Sequence, residues 1–387
     1  MSVIVVGLSN RSAPLELLER TSVSGEDLAK ALSSLRKRDN ISEVVVLSTC
    51  MRTEVYALAE RFHGGLTDII EFLSGLAGRD IEDSIYNYFD LTCVSHLFRV
   101  ASGLESAVLG EGEVLGQLRD AWIYAMEEGA SGPTLNTLFR HAVEVGKRTR
   151  TEVKIKSEIK SLSQAAVALV ENHFGVVPKS RNVLIIGKGV ISSSIKEIVM
   201  ERWENADITV ADRSSSLGEE LKDADIVFCA TTTPETIIHP EFISNKQQVL
   251  VDLSVPRNID PNVEAILFDI DSVARSIENT DTVSDIEAIS NIIEEEVSRY
   301  QDSSSARLVA PLVAELRNRF EKIRKDEISK RTGNLSDERQ REIDRITKSI
   351  VAKVLHEPTV RLKEAAGTPK GERLCESLRD LFDISDQ

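Results

Sequence analysis

The sequence predicts three regions of different class in series: an α+β domain over residues 1–155, a doubly wound α/β domain over 156–284, and an all-α region over 285–387. Three patterns carry this reading. Up to about residue 155, strand-like apolar runs with tight polar turns mix with helical periodicities. From Asn182 onward, short buried-strand runs alternate with helical segments, which implies a parallel sheet. Beyond Ile286, apolar residues recur at helical spacing between charges.

In order along the first region, Val3–Gly7 reads as a strand. Leu15–Arg20 and Gly25–Lys37 read as helices, the second with Ser24 as its cap. The apolar run Val44–Leu47 ends in Ser48-Thr49-Cys50-Met51-Arg52. A second run follows with Val55, Ala57 and Ala59 on one face and Glu54, Tyr56 and Leu58 on the other. Two strands with a tight connection put Cys50 at a strand end, where a side chain can face a cleft. Arg52 lies near enough to favour a thiolate or to hold an anionic group, and Thr49 and Thr53 add hydroxyls. The same stretch also suits a buried cysteine in a hairpin. Helical patterns then cover 66–76, 94–104, 114–128 and 135–152. His96 lies on the second of these, ahead of Ser102-Gly103-Leu104-Glu105-Ser106. The glycine- and acid-rich stretch Gly110-Glu111-Gly112-Glu113, with Gln117, reads as a polar binding lip. Its carboxylates suit an ammonium, and Ser106 and Gln117 suit carbonyl or carboxylate oxygens.

In the second region, the strand Asn182–Ile186 runs into Gly187-Lys188-Gly189-Val190-Ile191-Ser192 and a helix to Trp203. Two of the three glycines of a dinucleotide fingerprint are present, and Ser192 is a small residue at the third position. Strands are also expected at 207–211, 226–230, 249–253 and 267–270. After the second strand, Asp212 suits a ribose 2′-hydroxyl, whereas Arg213 and Ser214 suit a 2′-phosphate. Thr231-Thr232-Thr233 fits either a crevice edge or an ordinary turn.

In the third region, Ile286, Ile289, Ile292, Ile293 and Val297 mark a helix that Ser303-Ser304-Ser305 interrupts. Pro311 suits the first turn of a new helix, and 312–331 and 337–362 are amphipathic. The stripe Leu312, Leu316, Phe320, Ile323, Ile350, Val354 and Leu355 is expected to need a partner, each helix with the other or with a second subunit.

Composition limits the options further. Net charge is −16, from 47 basic and 63 acidic residues, which disfavours nonspecific nucleic-acid binding. The basic residues between Arg317 and Lys363 suit either a salt-bridged solvated face or a surface that meets a nucleic acid. Four scattered cysteines without a CxxC argue against a disulfide framework or a zinc site, so no metal is expected. No apolar run approaches about 18 residues, so no membrane span is expected and the cytoplasm is the default.

Six blocks in order resemble the glutamyl-tRNA reductase family: residues 48–56, His96 with 99–106, 108–117, 187–192, 251–261 and 355–366. The resemblance covers essentially the whole chain. It implies a catalytic domain, an NADP domain of Rossmann type and a dimerisation domain in that order. It also implies reduction of glutamyl-tRNA(Glu) with NADPH to glutamate-1-semialdehyde, the first committed step of the five-carbon tetrapyrrole route. Carried over, Cys50 is the nucleophile that forms a thioester, and His96 is important for activity. Thr49, Met51, Arg52, Ser106, Glu111, Gly112, Glu113 and Gln117 match the glutamate-recognition positions. Residues 187–192 with Arg213 and Ser214 are expected to bind the cofactor. A homodimer and a transient complex with the aminomutase of the same pathway are further implications. The chain departs from the family at Met51, usually asparagine, at Gly112-Glu113, usually Pro-Gln, and at Asp212, usually asparagine. Two alternatives remain: a shikimate-type NADP-dependent dehydrogenase, which needs no Cys50, and a non-catalytic tRNA-binding paralogue.

Overall fold

The computed structural model describes residues 2–155, 159, 161–175, 180–212, 217–231, 233–243, 247–277, 283–332, 336–366 and 368–384. Packing divides the chain into two compact units, residues 1–294 and 295–387.

The first unit contains two sheets, each the centre of a lobe. The N-terminal lobe runs β1 (Ser2–Ser9), α1 (Leu15–Thr21), α2 (Gly25–Arg36), β2 (Ile41–Thr49), β3 (Arg52–Ala59), α3 (Phe62–Ala77), β4 (Tyr86–Phe89), α4 (Asp90–Ala101), α5 (Glu113–Glu127) and α6 (Pro133–Glu152). Its strands form an antiparallel sheet in the order β2-β3-β1-β4. Every residue of β3 is buried, and helices α1, α3 and α6 pack on it. A sheet enclosed on both sides explains why β1 and β2 read as unbroken apolar runs. Cys50 and Met51 form the two-residue connection of the β2–β3 hairpin, as the sequence predicts. Ser24 stands at the start of α2, but its side chain makes no capping bond. The start of α6 is instead capped from β2. Buried Glu43 accepts from the backbone N–H of Thr134 at 3.1 Å and of Leu135 at 2.7 Å, while Pro133 fills the first turn.

The second lobe runs α7 (Leu162–Phe174), β5 (Asn182–Ile186), α8 (Val190–Arg202), β6 (Asp207–Ala211), α9 (Leu217–Asp223), β7 (Ile226–Cys229), β8 (Val249–Asp252), β9 (Ile266–Asp269) and α10 (Ile270–Arg275). All five strands are parallel, in the order β6-β5-β7-β8-β9. The strand order reverses between β5 and β7, so their carboxyl ends flank a crevice.

Three long helices complete the chain: α11 (Val283–Arg331), α12 (Asp337–Glu364) and α13 (Pro369–Phe382). The expected break at Ser303–Ser305 and the new start at Pro311 do not occur, because α11 is one continuous helix with Pro311 inside it. The Ser303 hydroxyl bonds back to the Tyr300 carbonyl at 3.0 Å, which accommodates a short polar side chain within a helix. Val309, Leu312, Val313 and Leu316 are buried on either side of the proline, and such packing outweighs local propensity. Within the second unit the expected apolar stripe splits in two. Val309, Leu312 and Val313 are covered by Leu362, Ala366, Leu374 and Leu378, and Phe320 packs on Phe382. Ile323, Ile346, Ile350 and Val354 stay at least half exposed. Many of the basic residues here are in ion pairs, including Arg324 with Glu321 and Asp344, Arg331 with Glu327, and Arg361 with Glu357.

Candidate active site

Register brings the first cluster together. Ser9 pairs with Arg52 and Gly7 with Glu54 across β1–β3, while Gly7 pairs with Tyr86 across β1–β4. A Cβ on Gly7 would lie 2.7 Å from Glu54 Cγ, so the glycine opens a path for the Glu54 side chain across the sheet. The Glu54 carboxylate, fully buried, accepts from Arg52 Nη1 at 2.9 Å, Tyr86 Oη at 2.6 Å and Tyr56 Oη at 2.7 Å. His96 Nε2 lies 2.9 Å from the same carboxylate, with its ring in contact with those of Tyr86 and Tyr88. Burial alone would raise the Glu54 carboxyl, but Arg52, His96 and Tyr86 hold it well below the usual carboxylate range. Arg52 also donates to the Glu105 carbonyl, and the Glu105 carboxylate pairs with Arg11 and Arg99. The guanidinium of Arg52 is thus committed to Glu54 and the loop carrying Glu105.

Cys50 sits half-buried at the hairpin tip. Burial, together with Glu111 and Glu113, pushes its thiol up to about 12, and Arg52 opposes this only in part. Arg52 thus favours the thiolate, the direction the sequence suggests, but burial and the two acids outweigh it. Thr49 Oγ1 accepts from the Met51 N–H at 3.2 Å, which fixes the turn. Met51 directs its side chain into the apolar core of the second lobe, so only its backbone is left to meet a substrate.

The acid-rich lip packs beside this turn. Burial raises Glu111 to about 7, against the Ser106 hydrogen bond, with Glu113 adding to the rise; Glu113 is raised by burial as well. Gly112 is the N-cap of α5, which places Glu113 in its first turn and Gln117 one turn on, on the same face. Arg150, which the sequence did not single out, donates to the carbonyls of Ala101, Gly146 and Glu111 and pins the loop.

In the second lobe, Gly187 has φ 123°, and a Cβ there would meet the Ala230 carbonyl and, at 2.7 Å, Ser192 Oγ. Ser192 closes the turn by donating to the Ala230 carbonyl at 3.1 Å. Gly189 is the N-cap of α8, and a Cβ there would meet nothing within 4 Å. Gly187, Lys188, Gly189, Asp212, Ala230, Thr231 and Thr233 line a cavity of about 410 Å³ at the strand ends. This cradle fits a dinucleotide: backbone amides and a helix start for the pyrophosphate, without side chains in the way. Val190 and Ile191 open α8 behind it. Lys188 Nζ pairs with Asp212 Oδ2 at 2.8 Å at the rim. Arg213, Ser214 and Thr232 lie outside the described residues.

Comparison with known proteins joins these two sites in one family. Residues 6–153 match the profile "Glutamyl-tRNAGlu reductase, N-terminal domain", and residues 288–384 match "Glutamyl-tRNAGlu reductase, dimerisation domain". Residues 215–276 match "Shikimate / quinate 5-dehydrogenase", a likeness confined to the second lobe. The chain is 37% identical to the glutamyl-tRNA reductase of Carboxydothermus hydrogenoformans, over 99% of this chain and 93% of that one. It is 34% identical to that of Salinispora arenicola, over 99% and 92%. The solved glutamyl-tRNA reductase from Methanopyrus kandleri superposes with a TM-score of 0.51 at 25% identity, covering 99% of both chains. With two family profiles matched and homology along its whole length, this chain belongs to the glutamyl-tRNA reductase family.

Proposed function

We propose that the protein reduces glutamyl-tRNA(Glu) to glutamate-1-semialdehyde through a thioester on Cys50, the first step of the five-carbon tetrapyrrole route, in the cytoplasm. The observation that carries this is the placement of Cys50. The thiol lies within the field of Glu111 and Glu113 and packs against the core of the dinucleotide lobe. The Cys50 sulfur attacks the ester carbon, the ester C–O bond breaks, and the thiol proton ends on the ribose oxygen of the departing tRNA. A nicotinamide cofactor supplies the hydride that reduces the thioester to the aldehyde.

The remaining steps belong to the chain's own residues. An α-ammonium entering beside Glu111 and Glu113 offsets the acids that add to burial in holding the thiol protonated, so substrate binding itself favours the thiolate. Ser106 and Gln117 orient the bound glutamyl group. Thr49 and the Met51 backbone shape the turn, and Glu54 fixes Arg52 and the His96 ring. Gly187–Ser192 hold the pyrophosphate. NADPH is the proposed form, because Lys188 neutralises Asp212, which would otherwise repel a 2′-phosphate, and because Arg213 and Ser214 follow. The exposed Ile323, Ile346, Ile350 and Val354 support a homodimer. A transient complex with the aminomutase would shelter the reactive aldehyde.

The test is capture of labelled glutamate from glutamyl-tRNA without cofactor. The label is expected on Cys50 through a bond that hydroxylamine cleaves. Cys50→Ser is expected to give no thioester and no aldehyde while still binding NADPH. Aldehyde formation by Cys50→Ser at the wild-type rate sinks the mechanism.

A further inference from the structure

Among the described residues, an ionic contact and an apolar contact between the two lobes of the first unit lie close together. Glu19 in α1 binds Arg257, which follows β8, three times. The backbone N–H of Arg257 donates to Oε1 at 2.9 Å, Nε to Oε1 at 2.6 Å and Nη2 to Oε2 at 2.9 Å. The two side chains are 14% and 28% exposed. A two-pronged guanidinium–carboxylate contact with an added backbone donor fixes orientation as well as distance.

Arg257 is itself held in place from beneath. The buried Asp252 carboxylate accepts from the backbone N–H of Ser254 at 3.0 Å, and of Asn258 and Ile259 at 2.8 Å. The loop is therefore shaped within its own lobe before it reaches Glu19. Leu15, one helical turn before Glu19, is buried with Met51 in the apolar cluster of the dinucleotide lobe. Cys50 and Ala107 pack against that same cluster, as does Val255, two residues before Arg257. The ion pair thus flanks the apolar seat of the nucleophile.

The geometry points to Glu19 and Arg257 as a latch that seats the dinucleotide lobe on Cys50 and screens the thiol, and any thioester formed there, from water. They are positioning residues that act through Cys50, and their role in turnover rests on the reaction proposed above. Two outcomes compete for the acyl group. With the latch closed, the thioester is kept for reduction. With the latch open, a water oxygen bonds to the acyl carbon, the C–S bond breaks, glutamate departs and the sulfur regains a proton.

The test needs no bound cofactor. Alkylation of Cys50 by iodoacetamide is followed by peptide mapping in Glu19→Gln, Arg257→Met, the double variant and Arg257→Lys, with half-buried Cys375 as internal reference. Cys50 is expected to react about tenfold faster in each of the first two, the scale set by losing one charge-assisted contact. The double variant should add little, and Arg257→Lys should fall between. Charged with glutamyl-tRNA in the presence of NADPH, the same variants should release more glutamate and less aldehyde. An unchanged Cys50 rate in both single variants overturns the latch. So does an increase matched at buried Cys93 and Cys229, which marks general loosening. A Cys50 that never captures a glutamyl group would instead overturn the proposed reaction and leave the alkylation result standing.

Discussion

Glu54 is the residue on which the N-terminal lobe turns. It receives four partners at once, and its ionised form is what they bind. Because its folded pKa lies below the ordinary 4.5, the carboxylate stabilises the fold above that pH and loses this contribution as pH falls. Glu54→Gln is expected to cost about 3 kcal/mol at pH 7, the scale for breaking a buried pair, with a smaller gap from wild type on acidification. Denaturation midpoints at pH 7 and in acid check this, and an equal gap at both refutes it. The cysteine of this site was legible in the sequence because hairpin, exposure and neighbouring hydroxyls are local. Glu54 was not, since an acid within an alternating strand reads as solvent-facing. What buries it is Gly7 on one strand and Tyr86 on another, distant in sequence. The carboxylate that holds Arg52 was hidden for the same reason: sequence proximity to Cys50 said nothing of it.

At the level of elements, the glycine turn after β5 was legible because a strand, two glycines and a helix follow one another. Its close approach was not, since Ala230 follows β7, a different strand. Gly187→Ala combines a positive φ with a Cβ driven at the Ala230 carbonyl. It is expected to weaken NADPH binding at least about tenfold while leaving Cys50 acylation intact. Titration by cofactor fluorescence, with acylation measured alongside, reads both, and wild-type affinity would show that the turn does not bind the pyrophosphate. Strand β4 escaped the sequence reading because four aromatic-rich residues at a sheet edge carry too little alternation to stand out. Ser303–Ser305 and Pro311 gave the opposite error: true helix-weakening signals, overridden by buried contacts on both sides of the proline.

For the molecule as a whole, the order of three fold classes was legible because each has its own periodicity. The self-covering of the helical tail was not, since α13 supplies it from beyond the expected stripe. The face that remains open carries the dimer prediction. Replacing both Ile350 and Val354 with Glu should convert the protein to a monomer in light scattering and leave Cys50 acylation measurable, because Cys50, Glu111 and Glu113 all lie in the first unit. A double variant that stays dimeric places the interface elsewhere. The unbroken course of α11 also governs which changes of chain length the protein tolerates. Its 49 residues extend about 74 Å at 1.5 Å per residue. Deleting one residue ahead of Ile323 would swing every later side chain about 100° around the axis, whereas deleting seven would return them to within about 20° of their original phase. Lineages are therefore expected to lengthen or shorten this helix in steps of whole double turns, so that its length is inherited in quanta.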